Sequence, residues 1–393
     1  MFYRKNNNNK KKNEKKEKKG GRFTKVVCPY LPNEIVAEIL MRLPHECVIK
    51  FKVVCKSWYN IIKDKSFVSD HFHHHSKFDT NTSLLFVRRR FKYYLTDRDR
   101  NHLMIPSDDQ SRPTMKLFNF KNFNRYHVRG LHCNGIIAFP TYTKIAFINP
   151  TLKQSKFLPT KLLPKFKCVA NGFGYDERTH FYKYVKIFAS VTSPIKFRAQ
   201  VCTLFSSGCG VSSLWREINM IKLNPNAFFD RDVVYLKSVC YWVHESSTEL
   251  QIVSFDMSDE KFGIIQVPFY QPDFFLLTYK LKVWKDKLVL LLKDCRYQDQ
   301  KSIEIWVMVV ESDNAYHWTK HLIITNPIPI HCCTTTCLDF LNDEELLIRW
   351  DEFLISYNIR TKKMRRLQFS SRARNELEFS TLYSKTLVSL LDN

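Results

Sequence analysis

Two clusters of histidine and cysteine are the residues in this sequence whose side chains could bind a metal ion. The first cluster is His331, Cys332, Cys333 and Cys337, and the second is His71, His73, His74 and His75. Adjacent cysteines rarely bind one zinc ion together, and the sequence has no second Cys-x-x-Cys pair. We therefore predict no metal and no cofactor. The cysteines are expected to be small buried hydrophobes in a reducing compartment, and the histidines are expected to lie in a polar linker.

A glycine-rich stretch and a group of carboxylates are the other residues that could do chemistry. The stretch 171–176 (Asn-Gly-Phe-Gly-Tyr-Asp) lacks the third glycine and the following helix of a phosphate-binding loop. We predict that its glycines permit a tight turn between strands. Asp256, Asp259 and Glu260 lie in a predicted turn and need no catalytic role. Because no nucleophile or nucleotide-binding motif is present, we predict that the protein is not an enzyme.

The elements that must position these residues fall into two parts, and the first part is helical. Leu31-Pro32 gives an extended entry, Asn33 is suited to cap a helix, and Pro44 ends that helix. Apolar residues recur at three- and four-residue steps in two runs, which are Ile35, Ile39 and Leu43 with Val36 and Leu40 beside them, then Val48, Phe51, Cys55, Trp58 and Ile62. About 40 residues cannot bury this much apolar surface alone. Either the rest of the chain or a separate subunit must cover it.

The second part has the pattern of an all-β domain. From Leu84 onwards, short runs of Val, Ile, Phe, Tyr and Trp are separated by turn residues. The equivalent positions Asn149, Phe205, Asp256, Val309 and Asn358 are 56, 51, 53 and 49 residues apart. A period near 50 residues predicts β-propeller blades of the kelch type. The aromatic residues that follow the turns would then wedge between blades; they are Phe157, Trp215, Phe262 and Trp318.

The net charge of +24 is divided between a tail and the rest of the chain. Residues 1–27 contain 11 Lys or Arg and two Glu, so the tail carries +9 and the remainder +15. The tail has almost no apolar groups, and we predict that it is disordered. Basic residues also concentrate between Arg88 and Arg125, which would suit an acidic protein or a nucleic acid. No apolar run reaches the roughly 18 residues of a membrane span and no secretory signal is present, which predicts a cytoplasmic or nuclear protein without a membrane partner.

The helical part closely resembles the F-box of plant F-box proteins. The resemblance is carried by Leu31-Pro32, Ile35 to Leu40, Arg42-Leu43-Pro44 and the stretch 51–58, with Val53 where many relatives carry cysteine. It implies a trihelical module that binds the Skp adaptor of a cullin-RING ubiquitin ligase. The implied adaptor-binding residues are Leu31, Pro32, Ile35, Ile39, Leu40, Leu43, Pro44, Val48, Phe51, Val54, Cys55 and Trp58.

The β-rich part is similar to the F-box-associated domain that follows many plant F-boxes. This similarity is carried by the stretches 131–137, 148–151, 171–176 and 214–218. The later stretch 303–308 most resembles the S-locus F-box proteins of pollen, which recognise pistil ribonucleases in self-incompatibility. The resemblance implies a non-catalytic substrate receptor of a Skp-cullin-F-box ubiquitin ligase whose target is an S-locus ribonuclease. The alternative is a nucleic-acid-binding or general protein-interaction propeller outside the ubiquitin pathway.

The predicted fold class is α+β, with a small N-terminal trihelical F-box followed by an all-β propeller-like domain. The predicted boundaries are a disordered basic tail at 1–27, the F-box at 28–72, a linker at 73–83 and the propeller-like domain at 84–393. A receptor that holds its target near a second enzyme requires a rigid junction. Residues 66–83 are therefore expected to be packed more tightly than their polar composition suggests.

Overall fold

The structure is a computed structural model that describes residues 31–78, 83–88, 92–96, 116–119, 130–141, 143–204, 215–246, 249–267, 277–294, 302–311, 315–325, 335–350, 353–367 and 377–390. The helices are α1 (Asn33–Met41), α2 (His45–Phe51), α3 (Lys56–Lys63) and α4 (Lys65–Phe78). The predicted tail at 1–27 lies outside the described residues. Helices therefore come first and strands follow, as the α+β prediction requires.

The strands form six four-stranded antiparallel sheets within the described residues. The first three sheets in the chain are built from β1 (Ser83–Arg88), β2 (Lys92–Thr96) and β3 (Lys116–Asn119); β4 (Leu131–Cys133), β5 (Ile136–Pro140), β6 (Lys144–Asn149) and β7 (Gln154–Pro159); and β8 (Phe166–Asp176), β9 (Phe181–Ser190), β10 (Phe197–Leu204) and β11 (Trp215–Ile218). The next three are built from β12 (Phe228–Leu236), β13 (Val239–Glu245), β14 (Leu250–Asp256) and β15 (Phe262–Gln266); β16 (Leu277–Trp284), β17 (Lys287–Asp294), β18 (Ser302–Val310) and β19 (Tyr316–Ile324); and β20 (Thr335–Phe340), β21 (Glu345–Trp350), β22 (Phe353–Asn358) and β23 (Met364–Leu367). The last strand, β24 (Leu377–Tyr383), completes the first sheet by pairing with β1.

The sheets are arranged in a ring through their innermost strands. Strand β4 contacts β8, which contacts β12, and the series continues through β16 and β20 to β24. The ring closes where the Tyr383 ring of β24 lies 5.6 Å from the His132 ring of β4. This arrangement is a propeller whose first blade combines three early strands with one late strand. Closing the ring leaves each sheet edge covered by a neighbour or placed on the outer rim.

The predicted repeat marks equivalent positions of this ring. Asn149 lies in β6, Asp256 in β14, Val309 in β18 and Asn358 in β22, and each of these is the third strand of its sheet. Phe205 directly follows β10, the corresponding third strand, and lies outside the described residues. One period of about 50 residues therefore corresponds to one four-stranded sheet.

Tryptophan side chains join neighbouring sheets by hydrogen bonds from their indole nitrogens. Trp215 Nε1 at the start of β11 donates to Pro159 O at the end of β7, the outer strand of the preceding sheet (3.1 Å). Trp318 Nε1 of β19 likewise donates to Gln266 O at the end of β15, which is the outer strand of the sheet before it (3.0 Å). These two residues lie between blades as predicted. Phe157 does not, since its ring is exposed and lies 4.4 Å from Lys144 Nζ of its own sheet. Phe157 lies on the outer strand β7, and Trp215 of the next sheet occupies the position between the two sheets.

The glycines of the stretch 171–176 lie inside strand β8 and not in a turn, so that prediction is wrong. A Cβ atom at Gly172 would lie 2.5 Å from Cζ2 of Trp242, and one at Gly174 would lie 2.7 Å from the Tyr235 ring. Trp242 is fully buried and donates its Nε1 hydrogen to Asn171 O (2.9 Å). The glycines therefore let an aromatic side chain of the next sheet approach the β8 backbone.

A buried lysine links the third and fourth sheets. Lys183 of β9 lies 2.8 Å from Asp176 Oδ2 of β8 and 2.8 Å from Glu260 Oε1, and it also donates to Met257 O. Glu260 and Met257 belong to the turn between β14 and β15. Each ammonium hydrogen thus has an acceptor, which is the condition under which a buried charge is tolerated. Burial alone would raise the pKa of Asp176, but hydrogen bonds from Lys183, Thr179 and Ser258 lower this pKa well below its usual value.

The segment 384–390, which follows β24, connects the helices to the propeller. On the helical side, Leu387 is buried among Val36, Leu40, Val48 and Ile62. On the propeller side, Asn149 Nδ2 donates to Val388 O (2.6 Å). Gln154 Oε1 accepts the backbone N–H of Leu390 (2.8 Å), and the Leu390 side chain is fully buried. We name residues 384–390 the C-terminal clasp.

The fourth helix, α4, corrects the prediction that His71 to His75 form a polar linker and that the module has three helices. His71 is fully buried and Phe67 packs in the same apolar cluster as Val48. The helix also runs through residues 73–78, where the linker was predicted to begin. Within residues 66–75, Phe67 and His71 are buried whereas Ser66, Asp70 and His73 are exposed, and residues 79–82 lie outside the described part of the chain. The signal was missed because histidine gives a weak apolar pattern, although its ring packs well in a core.

Candidate functional site

Helix α1 carries two apolar stripes that face in different directions. Val36 and Leu40 point into the helical core, while Ile35 and Ile39 are 48% and 45% exposed and Leu31 is exposed just before the helix. Residues four apart lie on one face of a helix, so Ile35 and Ile39 share one face of α1, and Leu31 lies just before the N-terminal end of that helix. Isolated exposed apolar residues are common, but three large ones at one helix are typical of an interaction site.

Leu40 and Val48 do not lie on this outer face, which corrects their assignment as adaptor-binding residues. Both side chains are fully buried, together with Ile62, Phe67 and Leu387. They form the small core around which the four helices pack. A side chain with no exposed surface can support a binding face but cannot contact a partner directly.

The other predicted residues are exposed or half-buried. Pro32, Pro44, Val54 and Cys55 are exposed. Leu43, Phe51 and Trp58 are half-buried and pack against the helical core, and the Phe51 and Trp58 rings meet edge to face with their centroids 5.5 Å apart. We name the exposed members of this set, Leu31, Pro32, Ile35, Ile39, Pro44, Val54 and Cys55, the helical face.

Two exposed apolar residues were absent from the predicted set. Val53 is almost completely exposed in the turn between α2 and α3, and Tyr59 is exposed on α3. Two successive valines in a short turn are the signal that could have identified Val53 together with Val54.

A side-chain hydrogen bond holds this turn near α1. Ser57 Oγ of α3 donates to Asn33 Oδ1 of α1 (2.6 Å). Asn33 therefore links two helices, and its side chain does not cap α1.

A cavity of about 220 Å³ separates the helices from the propeller beside the C-terminal clasp. Its lining includes Lys52, Lys63, Lys65, Phe72 and Phe181. Lys65 Nζ lies 4.7 Å from the centroid of the Phe181 ring, which gives one cation–π contact across the junction. Because this region is incompletely filled, the clasp is the main apolar connection between the two parts within the described residues.

Comparison with known protein families identifies both the helical part and the propeller. The F-box associated beta propeller domain matches residues 84–389, and the F-box domain matches residues 29–70. The chain belongs to the F-box family with an F-box-associated propeller domain. The four helices are thus its F-box region, and the ring of sheets is its F-box-associated domain.

Individual relatives of this F-box protein include F-box proteins of a plant. An F-box/LRR-repeat/kelch-repeat protein of Arabidopsis thaliana is 24% identical over 377 residues, which are 92% of this chain and 97% of that protein. An F-box protein of Arabidopsis thaliana is 25% identical over 322 residues, covering 77% and 76% of the two chains. A solved prolyl endopeptidase structure has a TM-score of 0.38 and 11% identity over 85% of this chain and 53% of its own, a likeness too weak to support an argument.

Histidine rings fill the space between α2 and α4 of the F-box region. The centroids of the His45 and His71 rings are 4.7 Å apart, and those of His71 and His75 are 4.3 Å apart. His71 Nε2 donates to Leu43 O (2.9 Å), whereas His71 Nδ1 and His45 Nε2 are buried without a hydrogen-bond partner. Burial first, and the neighbouring histidines second, lower the pKa of His45 to about 3; burial and the neighbouring histidines also lower the pKa of His71 to about 4, against the raising effect of its hydrogen bond to Leu43.

The free energy of unfolding is expected to fall as the pH decreases from 7 to 5. Unfolded histidines bind protons near pH 6.5, while folded His45 and His71 stay neutral until about pH 3 and 4, so protonation favours the unfolded chain across this interval. The loss is roughly 1 to 2 kcal/mol per histidine by pH 5. Urea titrations of the full chain at several pH values measure it. His71→Gln should reduce the pH slope, and a stability that is flat from pH 7 to 5 contradicts the expectation.

Sequence analysis weighed two clusters of histidine and cysteine as metal ligands and predicted no metal. No group of three His, Cys, Asp or Glu side chains suited to a metal ion occurs among the described residues. His331, Cys332 and Cys333 lie outside them, and Cys337 is buried in an apolar cluster where burial raises the pKa of its thiol to about 12. The side chains of the basic residues from Arg88 to Arg125 also lie outside the described part.

None of the helices described is long and apolar enough to cross a bilayer.

Asp256 and Glu260, which sequence analysis placed in a turn, have structural partners. Asp256 Oδ1 accepts the backbone N–H of Ser258 (2.7 Å) and of Asp259 (2.9 Å), and Glu260 pairs with Lys183 and Arg216. The arrangement of the described residues therefore suits binding through exposed apolar side chains.

Proposed function

We propose that this F-box protein is a substrate receptor of a Skp-cullin-F-box ubiquitin ligase. The observation that supports it is the apolar set Leu31, Ile35 and Ile39, which stays about half exposed although Val36 and Leu40 of the same helix are buried. The described part of the chain therefore leaves this apolar surface uncovered. An adaptor of the Skp type that buries the exposed half of these side chains would contribute roughly 0.7 to 1.5 kcal/mol for each of them.

The two parts of the chain would then have separate tasks. The helical face holds the adaptor, and through it the cullin scaffold, while the propeller holds a target protein. The C-terminal clasp fixes the two relative to each other, which raises the effective concentration of target lysines near the ubiquitin-conjugating enzyme. The receptor contributes positioning and no catalytic group, and its place of action would be the cytoplasm or the nucleus.

The S-locus ribonuclease is the target that the subgroup resemblance predicts. Pistil ribonucleases of this kind are basic, and the receptor carries +15 outside its tail. Like charges slow the encounter of two proteins. A basic ribonuclease would therefore have to bind through a locally acidic part of either partner.

Co-purification of the full chain with a Skp-type adaptor and a cullin tests the proposal. The expected result is a three-protein complex that elutes as one peak in size-exclusion chromatography, and in which the cullin requires the adaptor to join the receptor. A folded chain with a normal circular-dichroism spectrum that does not co-elute with the adaptor would reject the receptor function.

A further inference from the structure

The propeller has a face that lies opposite the helices. The helices approach the turns that join the first and second strands of two sheets, at Asn134 and His180. Strands alternate in direction, so the opposite face carries the loops between second and third strands and the loops between sheets. Three described segments on that side are 159–165, 190–196 and 219–228. We name them the loop face.

The loop face exposes large apolar side chains. Leu162 is 46% exposed, Val191 is 65% exposed, and Ile195 and Phe228 are exposed as well. Two of the segments connect neighbouring sheets, and 190–196 joins β9 to β10 within one sheet. In the segment 219–228, Met220, Ile221 and Leu223 pack against the core, whereas Phe228 remains exposed.

The exposed charges within the three segments are all positive, while the nearest carboxylates, Asp230 and Glu245 beside Phe228, are half-buried. The three segments contain four lysines and no carboxylate, and all four lysines are exposed: Lys161, Lys165, Lys196 and Lys222. Positive groups around apolar side chains favour a partner that has carboxylates next to apolar residues. A basic partner surface would meet four lysines of the same sign.

Hydrogen bonds hold the loop face in one conformation. Val191 N donates to Lys165 O (2.9 Å), which joins two of the segments. Within the second segment, Ser190 N donates to Lys196 O and Lys196 N donates to Ser190 Oγ, each at 2.9 Å. The Phe197 ring that follows lies 6.0 Å from the Phe229 ring, next to Phe228. A pre-organised surface loses little conformational entropy when it binds.

We propose that the loop face binds an acidic segment of a target protein that carries large apolar side chains. This inference rests on the proposed receptor function and names the chemical class of its substrate. The apolar residues would cover Leu162, Val191 and Phe228, and the carboxylates would pair with the surrounding lysines. Nucleic acid could use the lysines, but it would leave the aliphatic side chains Leu162 and Val191 without a matching partner.

Fluorescence anisotropy with labelled synthetic peptides tests the inference on the full chain. The probe alternates glutamate with leucine and phenylalanine, and the comparison peptides replace its glutamates by lysine or its apolar residues by serine. The glutamate peptide with apolar residues should bind more tightly than both. Val191→Asp should weaken its binding by about tenfold or more, since it removes apolar contact and adds a repelling charge.

Val310→Asp is the matched control, because Val310 is 56% exposed and lies at the opposite end of a strand in another sheet. It should leave peptide binding unchanged. Equal binding of the glutamate and lysine peptides, no binding of the glutamate peptide, or unchanged binding by Val191→Asp would each overturn the inference. Binding of a polyuridine oligonucleotide that Val191→Asp abolishes would overturn it in favour of nucleic acid.

Adaptor binding by the same proteins separates this inference from the receptor function. Val191→Asp should bind a Skp-type adaptor as the unaltered chain does, because residue 191 lies on the face away from the helices. A chain that binds the adaptor but none of the peptides overturns the substrate class alone. A chain that does not bind the adaptor rejects the receptor function itself.

Discussion

The double substitution Ile35→Asp and Ile39→Asp is expected to abolish binding of a Skp-type adaptor to the full chain. Both side chains are about half exposed on α1 and take no part in the helical core, so the protein should still fold. Each side chain has only about half of its surface left to bury, so the two lost contacts cost roughly 1.5 to 3 kcal/mol together. Burying two unpaired carboxylates costs several kcal/mol more, so binding should weaken by at least about a hundredfold. Isothermal titration calorimetry with purified adaptor measures the change.

Leu162→Asp provides the matched control for this substitution. Leu162 is 46% exposed, close to the values for Ile35 and Ile39, but it lies on the loop face of the propeller. It should leave the adaptor affinity unchanged. If the folded double variant binds the adaptor as tightly as the unaltered chain, the outer stripe of α1 is not the contact surface, and the Val53–Val54 turn becomes the next surface to test.

Replacing Lys183 by methionine is expected to cause a large loss of stability in the propeller. Methionine fills a similar volume but leaves Asp176 and Glu260 facing each other in a buried site without their shared cation. Removing one partner of a buried ion pair typically costs about 3 to 5 kcal/mol. The midpoint of urea denaturation should fall accordingly.

Two further variants make the Lys183 result specific. Lys167→Met removes an exposed lysine from β8 of the same sheet and should change the unfolding free energy by less than about 0.5 kcal/mol. Combining Lys183→Met with Asp176→Asn and Glu260→Gln should recover part of the loss, because the uncompensated charges are gone. A cost below about 1 kcal/mol for Lys183→Met would show that these carboxylates reach solvent when the lysine is absent.

The propeller was predictable because its signals are local. Each strand and turn is encoded within a few residues, so the equivalent positions Asn149, Asp256 and Asn358 could be aligned by spacing alone. Packing between sheets was not predictable in this way. Gly172 suggested a turn, because nothing nearby in the sequence shows that Trp242, 70 residues later, occupies the space beside it.

The helical face was predicted only in part for a related reason. Ile35 and Ile39 have the same four-residue spacing as Val36 and Leu40, and periodicity does not say which stripe points inward. The choice is made by Leu387, which comes from the far end of the chain and packs against Val36 and Leu40. Histidines made α4 hard to recognise, since the packing of His71 and His75 depends on edge-to-face and tilted ring contacts with His45.

The position of β24 and the C-terminal clasp has a consequence for biosynthesis. Residues 31–78 leave the ribosome early, yet Leu387 and the strand that completes the first blade are made more than 300 residues later. During translation the nascent chain therefore holds an unfinished ring and a helical bundle that lacks one of its core side chains. A premature stop codon before residue 377 would release a polypeptide of this unfinished kind, with exposed strand edges that favour aggregation.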